Sequence, residues 1–143
     1  MTDMTRLMRV ADEVEIRNLV ARLAHLTDSD SDDLTEYISL FTEDAVSVHP
    51  GEADREGHSQ ILERGRERRR IRNHGPGTHT EHITTTLWVR TDGGDTATAV
   101  SKFLFFAKTN VAEPTLLRMG RYDDAFRRTP DGWKLSRREI SRG

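Results

Sequence analysis

Residues Gly120–Ile140 read GRYDDAFRRTPDGWKLSRREI, and this stretch decides the fold. Its central TPDG has the composition of a hairpin turn, because proline and glycine favour the backbone angles that such turns require. The residues on either side follow the two-residue period of a strand, which predicts strands at 115–128 and 132–141. The same period upstream predicts strands at 79–91 and 96–109, joined by a turn in TDGGD. The second half of the chain is therefore predicted to be a run of antiparallel strands.

The first half of the chain follows a helical period instead. Residues 11–27 place apolar side chains three and four positions apart, with Asp12 as the expected N-terminal cap. Shorter helices are predicted at 34–41 and 57–72, and a short strand at 45–49. Helices that precede a run of strands indicate an α+β fold, in which N-terminal helices pack on one curved antiparallel sheet that encloses a pocket.

The length and composition of the chain indicate one folded domain. It has 143 residues, of which 34% are hydrophobic and 32% are charged, and this is enough to bury a core. We predict a tail or helical lead-in at residues 1–9 and a single domain over 10–143. No stretch of about 18 apolar residues occurs, and the N-terminus lacks the apolar segment of a signal peptide. We therefore expect a cytoplasmic protein that does not enter a membrane.

Composition also excludes several kinds of site. Without cysteine there is no disulfide, no thiolate catalysis and no cysteine-based metal site. The net charge of −2 gives the chain no general attraction for nucleic acid. The run ERGRERRRIR, residues 63–72, contains six arginines, but glutamates interleave with them and no aromatic residue is present to stack on bases. We interpret this run as a solvated helix face or an oligomer contact.

The stretch THTEHITTTLW, Thr78–Trp88, raises the question of what its histidines do. In a strand, residues three apart point to opposite faces, so His79 and His82 are not expected to bind one metal ion. The alternation predicts that His82, Thr84, Thr86 and Trp88 share one face of the strand. The remaining histidines, at positions 25, 49, 58 and 74, are expected to be ordinary loop or surface residues.

Among the aspartates of DSDSDD, Asp28 differs from the rest because it directly follows the apolar face of the first helix. It is therefore able to point inward, where a carboxylate is unfavourable unless it has a partner such as an imidazolium. A calcium loop is rejected, because counting from Asp28 places Asp33 and Ser39 where such a loop needs glycine and glutamate.

The predicted pocket walls come from strand residues that alternate inward. Phe103 and Phe105 share a face of one strand, and Met119 shares a face of the next strand with Leu117 and Arg121. Phe41, Val46 and Trp88 are further wall candidates. Together these side chains suggest a small hydrophobic ring compound as the ligand.

Three stretches resemble the SnoaL-like branch of the NTF2-like superfamily, which includes scytalone dehydratase, hexachlorocyclohexane dehydrochlorinase and polyketide cyclases. They are EIRNLVARLAHLTDSDSDDLTEYISLFTEDAV (Glu15–Val46), THTEHITTTLWVRTDGGDTATAVSKFLF (Thr78–Phe105) and GRYDDAFRRTPDGWKLSRREI (Gly120–Ile140). The resemblance implies a cone-shaped α+β barrel with a deep apolar pocket, no required cofactor, and a homo-oligomer of two or three chains.

The resemblance also implies a catalytic pair, in which an aspartate after the first helix meets a histidine on the first long strand. These positions fall on Asp28 and His82. The pattern departs from scytalone dehydratase in two places. A second histidine on the next strand is missing from Phe103–Ala107, and Thr27 stands where a tyrosine is expected. These departures put the dehydration of scytalone itself in doubt.

A histidine held by a carboxylate suits the removal of a proton from carbon, next to a carbonyl or a leaving group. Elimination, isomerisation and aldol-type ring closure all begin in this way. The first hypothesis is therefore a cofactor-independent lyase, isomerase or cyclase that uses His82 and Asp28. The alternative is a small-ligand-binding or assembly protein on the same fold, with an inert pocket.

Overall fold

The structure is a computed structural model that describes residues 2–142. Within them the chain forms three helices and six strands. The helices are α1 (Asp3–Thr27), α2 (Thr35–Ser39) and α3 (Gly57–Arg70). The strands are β1 (Phe41–Val48), β2 (Arg55–Glu56), β3 (Glu81–Thr91), β4 (Thr96–Ala107), β5 (Thr115–Thr129) and β6 (Gly132–Arg142).

The six strands form one curved sheet in the order β2-β1-β6-β5-β4-β3. β1 and β6 run parallel, whereas the other neighbours are antiparallel. Helix α1 packs on β3 and β6, and α3 packs on β1. The predicted α+β fold is confirmed, and so are the four long strands. The sheet is not closed into a barrel, since β2 and β3 are its edges.

The first helix is longer than its periodicity predicted. It begins at Asp3, and the Thr2 side chain accepts a hydrogen bond from the Thr5 backbone N–H at 3.1 Å as the N-terminal cap. Most of the segment assigned to a tail or lead-in is therefore helical. The prediction that Asp12 caps the helix is wrong, because Asp12 lies in the helix interior and is buried.

Asp12 instead holds the β5–β6 hairpin against the helix. Its carboxylate accepts hydrogen bonds from Trp133 Nε1 at 3.0 Å and from both terminal nitrogens of Arg128 at 2.9 and 2.8 Å. The Trp133 backbone N–H donates to Glu15 at 2.6 Å. The hydrogen bonds from Arg128 hold the pKa of Asp12 below its usual value. The carboxylates of Asp12 and Glu15 therefore bind the predicted β5–β6 hairpin to the first helix.

The second predicted helix is shorter than expected. α2 ends at Ser39, and the residues that follow it form β1 beside β6. The backbone N–H of Leu135 donates to the Leu40 carbonyl at 2.8 Å. Pairing with a distant strand therefore overrides the local helical period. The edge strand β2, which pairs with β1, has no counterpart in the prediction.

One hydrophobic core lies between α1 and the sheet. Ile16, Leu19, Val20 and Leu23 of α1 pack there with apolar residues of β1, β5 and β6. None of the helices between residues 2 and 142 combines the length and apolar character needed to cross a bilayer. A second cluster of Phe103, Phe105 and Tyr122 lies on β4 and β5, next to a large cavity.

Candidate active site

A cavity of about 590 Å³ lies between the helices and the sheet. Its walls come from α1, α2, α3, the loop after α3, and every strand except β2. A volume of this order is typical of small-molecule sites. The walls are not uniformly apolar, because six arginines and one glutamate are among the lining residues.

His82 lies in the cavity wall and is bound to Asp28. The Nδ1 atom of His82 is 2.7 Å from Oδ1 of Asp28, and the backbone N–H of His82 donates to Oδ2 at 2.7 Å. Both side chains are 13% exposed. Because an ionised carboxylate only accepts hydrogen bonds, Nδ1 must carry the proton. The other ring nitrogen, Nε2, is left as the basic atom.

Local structure positions both members of the pair. Asp28 is the C-terminal cap of α1, and its backbone N–H donates to the Ala24 carbonyl at 3.1 Å. His82 is the second residue of β3, which packs against α1. The Phe105 ring lies against the imidazole, with 4.4 Å between the ring centroids. The predicted contact between Asp28 and His82 is therefore present.

The structure brings only some of the predicted wall residues to the cavity. Phe41, Phe103 and Met119 line it. Phe105 is fully buried behind the wall and does not line the cavity. Trp88 is 55% exposed and lies away from the cavity, with the Arg90 guanidinium 3.9 Å from its ring centroid.

A β-bulge explains why Trp88 is displaced. Thr85 pairs with Lys102 and Trp88 pairs with Val100, so β3 has one residue more than β4 across this interval. Thr86 lies in the bulge with φ +51°. One inserted residue exchanges the two faces of a strand. The predicted alternation is therefore wrong beyond the bulge, where Trp88 no longer shares the face of His82.

The inward face of β5 also differs from the prediction. The buried positions are Gly120, Tyr122 and the alternate residues that follow, whereas Arg121 pairs with Asp123 on the other face. Gly120 is required here, because a Cβ atom at this position would lie 2.2 Å from the Phe103 ring. That ring stacks on Tyr122 with 4.6 Å between centroids. Tyr122 therefore lines the cavity together with Met119, whereas Leu117 and Arg121 of the predicted face do not line it.

His74 lines the cavity, which the sequence did not predict. It was expected to be an ordinary loop residue, but it is buried and lines the cavity, with its ring centroid 5.7 Å from that of His82. Its Nδ1 atom makes no hydrogen bond with any residue from 2 to 142. Burial, together with the neighbouring His82, lowers the pKa of His74 to about 4. The available signal was the glycine-rich NHGPG, in which Gly75 lets the loop pass close to the Arg69 side chain.

His49 was likewise expected to be an ordinary residue. Its Nδ1 atom contacts Nη1 of Arg64, whose side chain also donates to Ser47 Oγ at 3.1 Å and to the Ala53 carbonyl at 3.1 Å. Burial and the adjacent Arg64 charge lower the pKa of His49 to about 3. An arginine only donates, so Nδ1 of His49 must accept and the imidazole is neutral.

A buried ion pair completes the floor of the cavity. Arg138 on β6 donates to both oxygens of Asp124 on β5, at 2.8 and 2.9 Å. Its guanidinium lies 3.7 Å from the Tyr122 ring centroid. Burial raises the pKa of Tyr122 to about 12, so its hydroxyl stays protonated at neutral pH. This part of the wall presents a fixed cation and a neutral phenol.

The other histidines do not join the pair. His25 and His79 are exposed, and the His58 ring lies 3.0 Å from the Phe41 carbonyl. Across the part of the chain that the structure describes, no group of three or more histidine, aspartate and glutamate side chains is arranged to hold a metal ion.

Comparison with protein families places nearly the whole chain in one group. The model of a SnoaL-like domain matches residues 8–139. No curated protein matches the sequence.

Solved structures agree with this assignment. An NTF2-like protein with a cystatin-like fold from Novosphingobium aromaticivorans is 30% identical, with a TM-score of 0.80 over 94% of this chain and 84% of that one. A provisionally assigned aromatic ring hydroxylase from the same organism is 27% identical, with a TM-score of 0.72 over 92% and 89%. A provisionally assigned scytalone dehydratase, also from that organism, is 17% identical, with a TM-score of 0.71 over 93% and 85%.

Proposed function

Because the chain belongs to the SnoaL-like domain family, we propose that it is a cofactor-independent lyase, isomerase or polyketide-cyclase-like enzyme. Its substrate is a small, largely hydrophobic ring compound, from which it removes a proton bound to carbon. One observation carries this proposal: the 2.7 Å contact between His82 Nδ1 and Asp28 Oδ1 at the wall of the cavity.

In this mechanism His82 is the general base. Asp28 holds the Nδ1–H tautomer, so the lone pair of Nε2 is free to accept the substrate proton. The imidazolium that forms is stabilised by the carboxylate beside it. A positioned base of this kind contributes a factor of about 10²–10⁴ to the rate. The proton later returns to the substrate or accompanies a leaving group, so neither step needs a redox partner.

A reaction of this type develops negative charge on a substrate oxygen, and the same wall offers donors for it. His74 is neutral at pH 7, because burial lowers its pKa to about 4. With its buried Nδ1 unpaired, the proton is favoured on Nε2, where it is able to meet a ligand. A neutral imidazole polarises an oxygen without surrendering its proton. Tyr122 is a second neutral donor in the wall.

The principal alternative is a protein that binds a small ligand, or assists an assembly, without catalysis. The observation that favours it is the composition of β4, where Phe103–Ala107 contains no second histidine. In this case the contact between His82 and Asp28 is a buried structural pair. Binding is then retained when His82 is replaced, and turnover is absent in every variant.

We further propose a cytoplasmic homo-oligomer of two or three chains whose partner is a small molecule rather than nucleic acid or a membrane. The net charge of −2 and the cavity of small-molecule size support this proposal. The outer side of β3 carries two exposed apolar side chains, Ile83 and Trp88, that suit contact with another copy.

A chromogenic probe tests the general base without knowledge of the natural substrate. In the ring opening of nitrobenzisoxazole, a base removes the carbon-bound proton, the N–O bond breaks, and coloured cyanonitrophenolate is released. We expect the wild-type protein to accelerate this reaction, and His82→Ala to lower the rate by about 10²–10⁴-fold. Asp28→Asn should lower it less, because the base remains but its tautomer is no longer held.

His25→Ala is the matched control, because His25 is exposed on α1 and does not line the cavity. Its rate should equal that of the wild type. Circular dichroism and thermal unfolding establish that each variant is folded. Equal rates for the wild type and a folded His82→Ala protein would exclude the proposed base.

A further inference from the structure

The cavity wall is rich in arginine, which neither the family assignment nor the proposed proton transfer explains. Six arginines line the cavity, and Glu52 is the one carboxylate among the lining residues. The arginines come from three separate elements, namely α3 (Arg64, Arg68 and Arg69), β5 (Arg118) and β6 (Arg138 and Arg142). The fold therefore gathers positive charge that is dispersed along the chain.

These arginines occupy different depths. The side chain of Arg64 is 7% exposed and that of Arg138 is 12% exposed, so both lie in the interior. Arg118 and Arg142 are exposed and lie at the rim. Arg68, at 26% exposure, lies between these extremes. Positive charge thus extends from the floor of the cavity to its entrance.

The carboxylates that contact these arginines are too few to neutralise them. Asp124 pairs with Arg138, and Glu52 lies 2.5 Å from Arg68 and 4.0 Å from Arg64. Asp32 lies 3.8 Å from Arg69 but is itself 81% exposed. Among residues 2–142, neither rim arginine forms an ion pair with a carboxylate. The six arginines carry three more charges than Asp124, Glu52 and Asp32 neutralise. If Asp28, which pairs with His82, is counted as well, the excess of positive charge is two.

The two neutral histidines of the wall agree with an excess of positive charge. Burial is the first cause of the low pKa of His49 and of His74. Nearby arginines lower both values further: Arg64 and Arg68 act on His49, and Arg69 acts on His74. The wall thus disfavours additional cations, and an anion would be stabilised in the same place.

Hydrogen bonds to the protein fix the deep arginines before any ligand arrives. Arg64 donates to Ser47 and to the Ala53 carbonyl, and Arg69 donates to the Leu26 carbonyl at 3.2 Å. A guanidinium that is already held in place loses little freedom when it binds an anion. The cavity volume of about 590 Å³ lies in the range of small-molecule sites.

We infer that the cavity is an anion-binding site, and that its ligand is a ring compound bearing a carboxylate or an equivalent acidic group. The apolar wall of Phe41 and Phe103 receives the ring, and the arginines receive the acidic group. This inference names the substrate class of the proposed enzyme and rests on the same cavity. It does not depend on proton transfer.

Two probes of the same shape separate charge from hydrophobicity. Naphthalene-2-carboxylate and its neutral amide, naphthalene-2-carboxamide, are titrated into the full-length protein at pH 7 and low ionic strength by calorimetry. We expect the carboxylate to bind about tenfold more tightly or better, because hydrogen bonds between two charged groups are stronger than those to a neutral amide. The preference should weaken as salt is added, since the rim arginines are exposed.

Variants locate the preference in the cavity. Arg68→Gln, and the double variant Arg118→Gln/Arg142→Gln at the rim, should reduce the preference for the carboxylate to about threefold or less. The rim residues form no ion pair with residues 2–142, so their replacement leaves no carboxylate of that part of the chain unpaired. Arg66→Gln is the control, because Arg66 lies exposed on the same helix and does not line the cavity.

Equal affinities for the two probes, or no saturable binding of either, would overturn the inference. A loss in Arg66→Gln as large as in the cavity variants would do so too, because the effect would then come from overall charge. His82→Ala should keep the preference for the carboxylate. A protein that prefers the anion but does not open nitrobenzisoxazole would therefore contradict only the proposed enzyme.

Discussion

His49 and Arg64 meet in the cavity wall, and their contact requires one particular protonation state. The arginine only donates, so the imidazole must accept through Nδ1 and stay neutral. At Asp28 and His82 the requirement is reversed, because the carboxylate only accepts and Nδ1 must keep its proton. Two histidines of one cavity are thus held in opposite tautomers by the charge of the partner at Nδ1.

The low pKa of His49 predicts a pH dependence of stability. Its value is about 3 in the folded protein and about 6.5 in an unfolded chain. As pH falls from 7 to 5, the unfolded chain binds a proton that the folded protein excludes, so stability decreases. We expect His49→Gln to remove about 1–2 kcal/mol of the decrease in unfolding free energy between these pH values.

Urea unfolding at pH 7 and pH 5 measures this difference. His25→Gln serves as the control, because the His25 side chain is exposed. Its decrease should match that of the wild type. If the His49→Gln protein loses as much stability on acidification as the wild type does, the buried contact with Arg64 does not hold His49 neutral.

At the scale of single elements, periodicity predicted the type of each long segment better than the direction of its side chains. The faces of β4 follow the predicted alternation, so Phe103 and Phe105 point to the same side. The faces of β3 do not, because an extra residue at Thr86 exchanges them. The position of the bulge cannot be predicted from a run such as ITTTLW, because threonine and leucine are equally acceptable on either face of the strand.

The bulge leads to a prediction about stability. Thr86 has φ +51°, a left-handed conformation that costs a residue with a Cβ atom about 1–2 kcal/mol. Glycine removes this cost but loses about 0.5–1 kcal/mol through its greater freedom in the unfolded chain. We therefore expect Thr86→Gly to stabilise the protein by about 0.5–1 kcal/mol, measured by urea unfolding.

Thr84→Gly provides the comparison in the same strand, before the bulge. It should destabilise the protein by about 0.5–1 kcal/mol, because no left-handed conformation is relieved there. A loss of stability in both variants would mean that the bulge is not a source of strain.

At the scale of the whole molecule, the helices cover one side of the sheet and leave the other side exposed. The helices pack against the sheet and line the cavity, whereas Trp88 and Leu117 remain 55% and 53% exposed. Helix α1 also has exposed apolar residues near its N-terminus, including Met4 and Leu7 at 67% and 63%. The chain therefore offers two surfaces for self-association, and the aromatic Trp88 favours the sheet.

We expect the chain to form an oligomer through the sheet, which analytical ultracentrifugation is able to measure. Trp88→Glu/Leu117→Glu should convert the assembly to monomers, because buried unpaired carboxylates oppose association. Met4→Glu/Leu7→Glu should leave it unchanged. The reverse pattern would assign the interface to α1, and a monomeric wild-type protein would contradict the expectation altogether.

The sequence by itself determined the α+β class, the order of the long elements and the pairing of Asp28 with His82. The class and the order of the elements depend on local periodicity and on turn residues, which a short window of sequence contains. The pairing of Asp28 with His82, which are 54 residues apart, came from the family resemblance over residues 15–140. Only the tertiary structure decided the character of the cavity. His49, His74 and the six arginines come from segments far apart in the chain, and they meet only because a glycine-rich loop, α3, β5 and β6 pack around one cavity. Arg64, Arg68 and Arg69, which were interpreted as part of a solvated helix face, line the cavity, because the side of α3 that meets the cavity is set by its packing on β1.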